Sequence, residues 1–266
     1  MMKSVVITGS TRGIGLGMAE AFLRQECQVV INGRSQDSVD RVVNQLASHY
    51  SQSHLLGVAG DVSVPEQIQT LWDAAVDRFG KVDIWINNAG FSNERVNFWE
   101  LSPQEIESLI DTNLLGVMQG SRIAMREMLK QGHGAIYNME GYGSNGRPSV
   151  RGLTLYGTSK AGLRFFDQSL MQEADQTSIL VGTLSPGMVV TDLLERRNES
   201  PEEWERNKRI FNILADRVET VTPWLVKKIL ENDKNGVQIS YLNNWKILGR
   251  FLQSLFRKRD VFAEQS

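Results

Sequence analysis

Tyr156 and Lys160 stand four residues apart in Tyr156-Gly157-Thr158-Ser159-Lys160, a spacing that places both side chains on one face of a helix. An ammonium beside a phenol favours the phenolate. A phenol drawn down from its usual pKa of about 10 can give or take a proton at a carbonyl oxygen near neutral pH. The second run with chemical content is Thr8-Gly9-Ser10-Thr11-Arg12-Gly13-Ile14-Gly15. Gly9, Gly13 and Gly15 let the backbone approach a pyrophosphate, and Ser10 and Ile14 complete a turn that aims the N–H groups of a following helix at it. Their spacing is G-x-x-x-G-x-G rather than the dinucleotide fingerprint G-x-G-x-x-G. Folds that prefer NAD place an acidic side chain after the second strand, whereas Val30-Ile31-Asn32-Gly33-Arg34-Ser35 has Gly33 there, followed by Arg34. Arg34 and Arg12 together offer two guanidinium forks for a 2′-phosphate, so the sequence favours NADP(H) over NAD(H).

These residues need a scaffold that gathers the ends of several strands. Apolar β-branched runs alternate with stretches of helical period, which predicts a parallel sheet covered on both faces. Strands are expected near Ser4–Thr8, Gln28–Asn32, His54–Val58, Val82–Asn87, Ala135–Met139, Ile179–Ser185 and Val237–Leu242. Helices are expected over Ile14–Gln25, Asp37–His49, Pro65–Phe79, Pro103–Lys130, Leu155–Ala174, Pro201–Leu214, Thr222–Asn232 and Trp245–Lys258. Ser102-Pro103-Gln104-Glu105 marks the start of the longest with an N-cap serine, a first-turn proline and a capping-box glutamate. The expected fold class is α/β: a single doubly wound Rossmann-type domain with a seven-stranded parallel sheet and helices on both faces. Residues 1–243 form the catalytic domain with a lid at about 188–215, and 244–266 form a basic amphipathic tail.

The 266 residues carry 29 basic and 31 acidic side chains, which weighs against a surface wrapped on nucleic acid. Cys27 is the single cysteine, and His49, His54 and His133 show no ligand spacing, so no metal site is expected. Val5-Val6-Ile7 is too short for a signal-peptide core, and no stretch nears the ~20 apolar residues of a membrane span. The expected address is cytoplasmic.

With these motifs in order, the sequence resembles the short-chain dehydrogenase/reductase family over nearly its whole length. The matching elements are Thr8–Gly15, Asp61-Val62, Asn87-Asn88-Ala89-Gly90, Asn113, Tyr156 with Lys160, and Pro186-Gly187 followed by Thr191. The resemblance implies an NADP(H)-dependent oxidoreductase acting on CH–OH or carbonyl groups. Tyr156 would donate the proton in reduction, Lys160 would hold the nicotinamide ribose and lower the tyrosine pKa, and Asn113 would fix a water linking Lys160 to solvent. Asp61, with Val62 beside it, would contact adenine; Asn88, Ala89 and Gly90 would line the cofactor; Pro186, Gly187 and Thr191 would border the nicotinamide, with Thr191 meeting its carboxamide. Members commonly carry a Ser-Ser pair after the asparagine that ends strand five, and the position 13 before Tyr156, where the second serine is expected, is Gly143 here. Ser144 is the nearest hydroxyl and is assigned to the substrate oxygen, with Ser149 in reserve.

Asn138-Met139-Glu140-Gly141-Tyr142-Gly143-Ser144, the Tyr156 motif, Ser185–Leu194 and Ile239-Ser240-Tyr241-Leu242 are similar to the chlorophyll b reductase branch, where strand five ends Asn-Met-Asp-Gly. That likeness implies reduction of the 7-formyl group of chlorophyll(ide) b to hydroxymethyl with NADPH. The loop Phe91–Asn97 after the Asn-Asn-Ala-Gly element carries no motif of this resemblance and is expected to shape the pocket. Other readings are a lipid-like, acyl or steroid-like carbonyl as substrate, or an NADP(H) sensor without chemistry. Leu193, Leu194, Trp204, Ile210, Phe211 and Leu214 either face a large flat ligand or pack the lid. In the tail, Trp245, Leu248, Phe251, Leu252, Leu255 and Phe256 oppose Lys246, Arg250, Arg257, Lys258 and Arg259. Such a helix suits peripheral membrane contact or packing on the body or a second subunit. A homodimer or homotetramer through Pro103–Lys130 and Leu155–Ala174 is expected from the family resemblance.

Overall fold

Near-continuous apolar strands belong to a sheet buried on both faces, and successive side chains divide between them. The computed structural model, which describes residues 2–144, 150–191, 201–254, 256 and 259–262, shows this division. The strands are β1 (Ser4–Ile7), β2 (Gln28–Gly33), β3 (Leu55–Ala59), β4 (Ile84–Asn87), β5 (Gly134–Met139), β6 (Ile179–Ser185), β7 (Val189–Val190), β8 (Asp216–Arg217) and β9 (Val237–Ser240). Seven of them form one parallel sheet in the order β3-β2-β1-β4-β5-β6-β9, while β7 pairs with β8 alongside. Val5, Ile7, Val29, Ile31, Ile84 and Ile86 face one apolar layer; Val6, Val30 and Trp85 face the other.

The described helices are α1 (Gly13–Leu23), α2 (Gln36–Ala47), α3 (Pro65–Phe79), α4 (Pro103–Ile110), α5 (Gly116–Gln131), α6 (Thr154–Ala174), α7 (Pro201–Leu214), α8 (Val218–Glu231) and α9 (Asn244–Ser254). Met18 and Phe22 of α1, Leu46 of α2 and Leu225 of α8 fill the first layer; Leu71 and Trp72 of α3 with Ala124 and Met128 of α5 fill the second. The chain reverses direction across the sheet between β1 and β4. That opens a crevice at their carboxyl ends, the place where such sheets bind ligands.

Several elements depart from the sequence pattern. Gln52–His54 form a 3-10 turn capped by Ser51, so β3 starts at Leu55. The expected helix Pro103–Lys130 starts with the Ser102/Glu105 capping box but is interrupted by a π turn at Asp111–Leu115, centred on buried Asn113. The helix after β8 begins at Val218 rather than Thr222 and carries Pro223 within it. In the segment expected to form a lid, Trp204 and Phe211 pack with Phe262, Met188 and Val190, so these two aromatics serve a small core of their own. Leu214 is buried and Ile210 exposed; Leu193 and Leu194 lie outside the described residues.

The tail is inverted relative to a helix that offers its cations to solvent. Arg250 pairs with buried Asp216 and donates to Leu214 O at 2.8 Å. Arg259 reaches Asp216 at 2.8 Å and the carbonyls of Ile213 and Ala215 at 3.2 Å. Lys246 lies 3.2 Å from the Tyr241 ring centroid, a cation–π contact. Trp245, Leu248, Phe251, Leu252 and Phe256 are exposed. Leu255, Arg257 and Lys258 lie outside the described residues, among which no helix is long and apolar enough to cross a membrane.

A chain of buried polar groups joins the strands to α5 and α6. Trp85 Nε1 donates to Asn87 Oδ1 (2.8 Å), Asn87 Nδ2 to Ser121 Oγ (3.0 Å) and Asn138 Oδ1 (2.8 Å), and Asn138 Nδ2 to Asp167 Oδ1 (2.6 Å). The other carboxylate oxygen of Asp167 is buried without a hydrogen-bond partner among the described residues. Burial pushes the Asp167 carboxyl up to about 7 from its ordinary 3.8, against the opposing effect of the Asn138 hydrogen bond. Between these values the folded chain holds a proton that the unfolded chain has lost, so this group's contribution to stability is complete below the lower value and is lost as pH rises through the upper one. Asp167→Asn is therefore expected to raise the melting temperature at pH 8 relative to the parent and to leave it nearly unchanged at pH 4. Thermal melts across that range check it, and an identical pH dependence in both proteins would refute it.

Candidate active site

The glycine turn after β1 is held by the segment after β4. Thr8 Oγ1 accepts the N–H groups of Asn88 (3.0 Å) and Ala89 (3.1 Å), and Asn88 Nδ2 donates to the carbonyls of Thr8 (2.9 Å) and Gly9 (3.0 Å). Gly9 has φ +61°, and a Cβ there would lie 2.8 Å from Ala89 Cα; one on Gly15 would lie 2.5 Å from Gly9 O. Only glycine allows the two loops and the start of α1 to nest this closely. Ser10 faces inward: its hydroxyl donates to Ile7 O (2.8 Å) and accepts from Asn32 N (2.9 Å), while its own N–H donates to Asn32 O (2.8 Å). It braces the turn.

Asn32, a residue that sequence reasoning passed over, joins three strand ends. Its Oδ1 accepts Gly9 N (3.2 Å), and its Nδ2 donates to Val58 O and Gly60 O at 3.1 Å each. The available signal was a lone amide closing the apolar run of β2. A Cβ on Gly33 would lie 2.6 Å from Thr11 Cγ2, so Thr11 occupies the space of an acidic side chain and brings the Arg12 loop against the Arg34 loop. Arg12 and Arg34 are both exposed, and Arg34 lines a hollow with Asp61, Ser63, Gln104 and Asp111. Asp61 accepts from Ser63 N (2.9 Å) and Oγ (2.8 Å), and Val62 is buried with its carbonyl against Gly116. At the other end of the crevice, Thr191 Cγ2 lies 3.6 Å from where a Gly13 Cβ would stand. Pro186 is buried, and Gly187, at φ +77°, packs on Leu242.

Beyond this cradle, the π turn carries Asn113 against the backbone of Phe91: Oδ1 accepts Phe91 N (3.0 Å) and Nδ2 donates to Phe91 O (2.8 Å). Gly90 lies between Asn113 and Lys160, with room for no more than a Cβ 3.1 Å from Asn113 Oδ1 and 3.9 Å from Lys160 Nζ. Lys160 is buried and donates to Met139 O at 2.9 Å. Burial draws its ammonium down to about 8, and the nearby carboxylates of Asp167 and Glu140 oppose that fall. Tyr156 is 9% exposed, and a Cβ on Gly141 would stand 2.4 Å from its hydroxyl and 3.2 Å from Lys160 Cε. The phenol hydroxyl and the Lys160 methylenes thus converge on one glycine at the end of β5, with the ammonium on the carbonyl of Met139 two residues before it. An apolar wall of Phe91, Val96, Leu101, Leu109, Tyr142 and Leu155 flanks the tyrosine.

Residues 3–202 match the family model described as short chain dehydrogenase. The chain belongs to the short-chain dehydrogenase family. A probable chloroplastic chlorophyll(ide) b reductase of Arabidopsis thaliana is 35% identical over 279 aligned positions, which cover 99% of this chain and 55% of that protein. The chain thus spans little more than half the length of that relative. Among solved structures, a 3-ketoacyl-(acyl-carrier-protein) reductase from Brucella melitensis complexed with NADH superposes with TM-score 0.77 at 24% identity, over 90% of this chain and 96% of its own. A gluconate 5-dehydrogenase from Burkholderia cenocepacia in complex with NADP and tartrate gives TM-score 0.75 at 22% identity, over 90% and 93%. These two likenesses show the shared fold.

In this short-chain dehydrogenase Gly143, 13 residues before Tyr156, and the candidate Ser144 next to it both turn toward α6. A Cβ on Gly143, where φ is +105°, would lie 2.5 Å from Gly157 O, so the position cannot carry a serine without displacing the helix. Ser144 is buried; its hydroxyl accepts Gly141 N (3.2 Å) and donates to Lys160 O (3.3 Å), bracing the turn that carries Gly141. Ser149 lies outside the described residues. Gly141 lies against the Tyr156 hydroxyl. Gly141→Ala is expected to displace that hydroxyl by close to an ångström and reduce kcat about 100-fold while leaving cofactor affinity near the parent's. Steady-state turnover beside a cofactor titration checks this; parent-like kcat would show that the hydroxyl's placement is not demanding.

Proposed function

We propose that the chain is an NADPH-dependent carbonyl reductase whose substrate is the formyl group of a chlorophyll(ide) b-type tetrapyrrole. The observation that carries the chemistry is the convergence of Tyr156 and Lys160 on Gly141 at the mouth of the crevice. The residues fit a nicotinamide dinucleotide: the first turn of α1 carries no side-chain cap among the described residues, and bare glycine backbone faces the same space, an arrangement suited to a pyrophosphate. Both nicotinamide cofactors occur among the structural neighbours. The choice of NADP(H) rests on Arg12 and Arg34 beside a β2 end where Thr11 excludes an acidic group. When bound, the cofactor supplies the hydride.

In the proposed reaction Tyr156 delivers the proton to the carbonyl oxygen. Lys160, held by Met139 O, keeps positive charge beside the phenol and eases release of that proton. Asn113 fixes the loop after β4 and, through the π turn, the floor beneath Lys160. Ser144 supports the Gly141 turn. The tetrapyrrole reading draws on the Arabidopsis relative's 35% identity and on the apolar wall beside Tyr156, to which the Phe91–Asn97 loop contributes Phe91 and Val96. For assembly we infer a homo-oligomer through α5 and α6, which leave Met118, Leu129 and Phe165 exposed.

The test is NADPH oxidation, followed by absorbance, with chlorophyllide b and a panel of steroid, acyl and simple aldehyde carbonyls. Chlorophyllide b is expected to be the preferred substrate, with Tyr156→Phe lowering kcat at least about 1000-fold. Turnover confined to the other carbonyls would overturn the pigment assignment, and tight NADPH binding with no turnover would favour a sensor. Separately, Arg34→Asp is expected to raise KM for NADPH about tenfold or more and leave that for NADH within about threefold; equal effects on both would remove the 2′-phosphate role.

A further inference from the structure

Glu140 is an acid at the end of a buried strand, where a charge persists only with partners. Its side chain is 3% exposed. One oxygen pairs with Arg164 of α6, one turn beyond Lys160, and the other accepts from Gln238 Nε2 of β9 at 2.7 Å. Its own N–H donates to Leu184 O of β6 at 2.9 Å. Glu140 therefore ties three elements to the middle of the tripeptide Met139-Glu140-Gly141. The residue before it accepts the Lys160 ammonium through its carbonyl, and the residue after it abuts the Tyr156 hydroxyl.

We propose that Glu140 is a positioning residue of this reductase, a buried carboxylate that clamps the strand end on which Lys160 and Tyr156 rest. This rests on the reading of Tyr156 and Lys160 as the proton-transfer pair. The charged or titratable groups around Lys160 are few. From α6 it faces Tyr156 and Asp167, with Arg164 beyond; from the end of β5 it faces Glu140; on the side of Gly90 the neutral Asn113 completes the surround. Glu140 and Asp167 both favour the ammonium against its burial, and Arg164 pairs with Glu140.

Two substitutions of nearly unchanged volume each weaken the buried negative charge. Glu140→Gln keeps an acceptor for Gln238 but removes the negative charge, which eases proton loss from both Lys160 and Tyr156. The alkaline limb of the reductive kcat profile is expected to move about 0.5–1 unit toward lower pH. Over the same profile kcat falls about 10-fold, with KM for NADPH within about threefold of the parent's. Arg164→Met removes the counter-charge that keeps the buried carboxylate ionised, so the limb is expected to move in the same direction as with Glu140→Gln, by a smaller step. Glu140→Asp retains the charge and is expected to leave the limb in place. Profiles of Glu140→Gln and Arg164→Met that superimpose on the parent's, with only the melting temperatures lowered, would overturn the proposal and leave Glu140 a structural tie. Parent-like turnover by Tyr156→Phe would overturn the pair assignment beneath it, a result separable from any outcome at Glu140.

Discussion

Lys160 carries an ammonium buried at the junction of α6 and β5, and burial of such a charge is tolerated only where fixed dipoles and opposite charges replace its water. Met139 O supplies the direct hydrogen bond, while Glu140 supplies compensating charge, joined by Asp167 where that carboxyl ionises, near pH 7. Meeting that requirement sets the relation of α6 to the sheet. The helix approaches until the Tyr156 hydroxyl and the Lys160 methylenes rest on Gly141. Ser144 then ties the turn back to Lys160 O, and Asp167, about two turns further along the same face, anchors the helix through Asn138 and Asn87 to β5 and β4.

The cofactor side is built by a parallel economy of glycines and amides. Asn88 and Thr8 weld the turn after β1 to the segment after β4, and Asn32 draws in β2 and the end of β3. Three loops of different sequence distance thereby present one continuous backbone surface, with the exposed Arg12 and Arg34 at its margin. The two halves meet at Gly90, which lies between Asn113 and Lys160. Proton transfer and dinucleotide binding, as proposed, thus share a single rigid edge of the sheet.

Much of this was readable from local pattern. The β-branched runs located the seven strands of the sheet because each must bury both faces, and the Ser102–Glu105 cap located the start of α4 because its donors are satisfied within four residues. The Tyr156–Lys160 pair and the Gly9–Gly15 turn follow the same rule: their spacing is their geometry. Contacts between distant segments left no such mark. Helical periodicity runs unbroken through Asp111–Leu115, yet the π turn forms where Asn113 meets the backbone of Phe91. Amphipathicity suggests that the tail's cations face solvent, yet Asp216, buried at the start of β8, draws Arg250 and Arg259 inward.

The amino-acid sequence by itself therefore determined the doubly wound sheet, the family, the glycine turn and the shared helix face of Tyr156 and Lys160, since each rests on periodicity or on residues a few positions apart. Which way Ser144 turns, what lies against the Tyr156 hydroxyl and which carboxylates neighbour Lys160 were decided only by tertiary structure. Counting back from Tyr156 leads to Gly143 and Ser144, but the approach of α6 to β5 turns both toward the helix and leaves Gly141 against the phenol. Loop length fixes a position along the chain, whereas side-chain direction depends on packing against elements that the intervening residues do not specify.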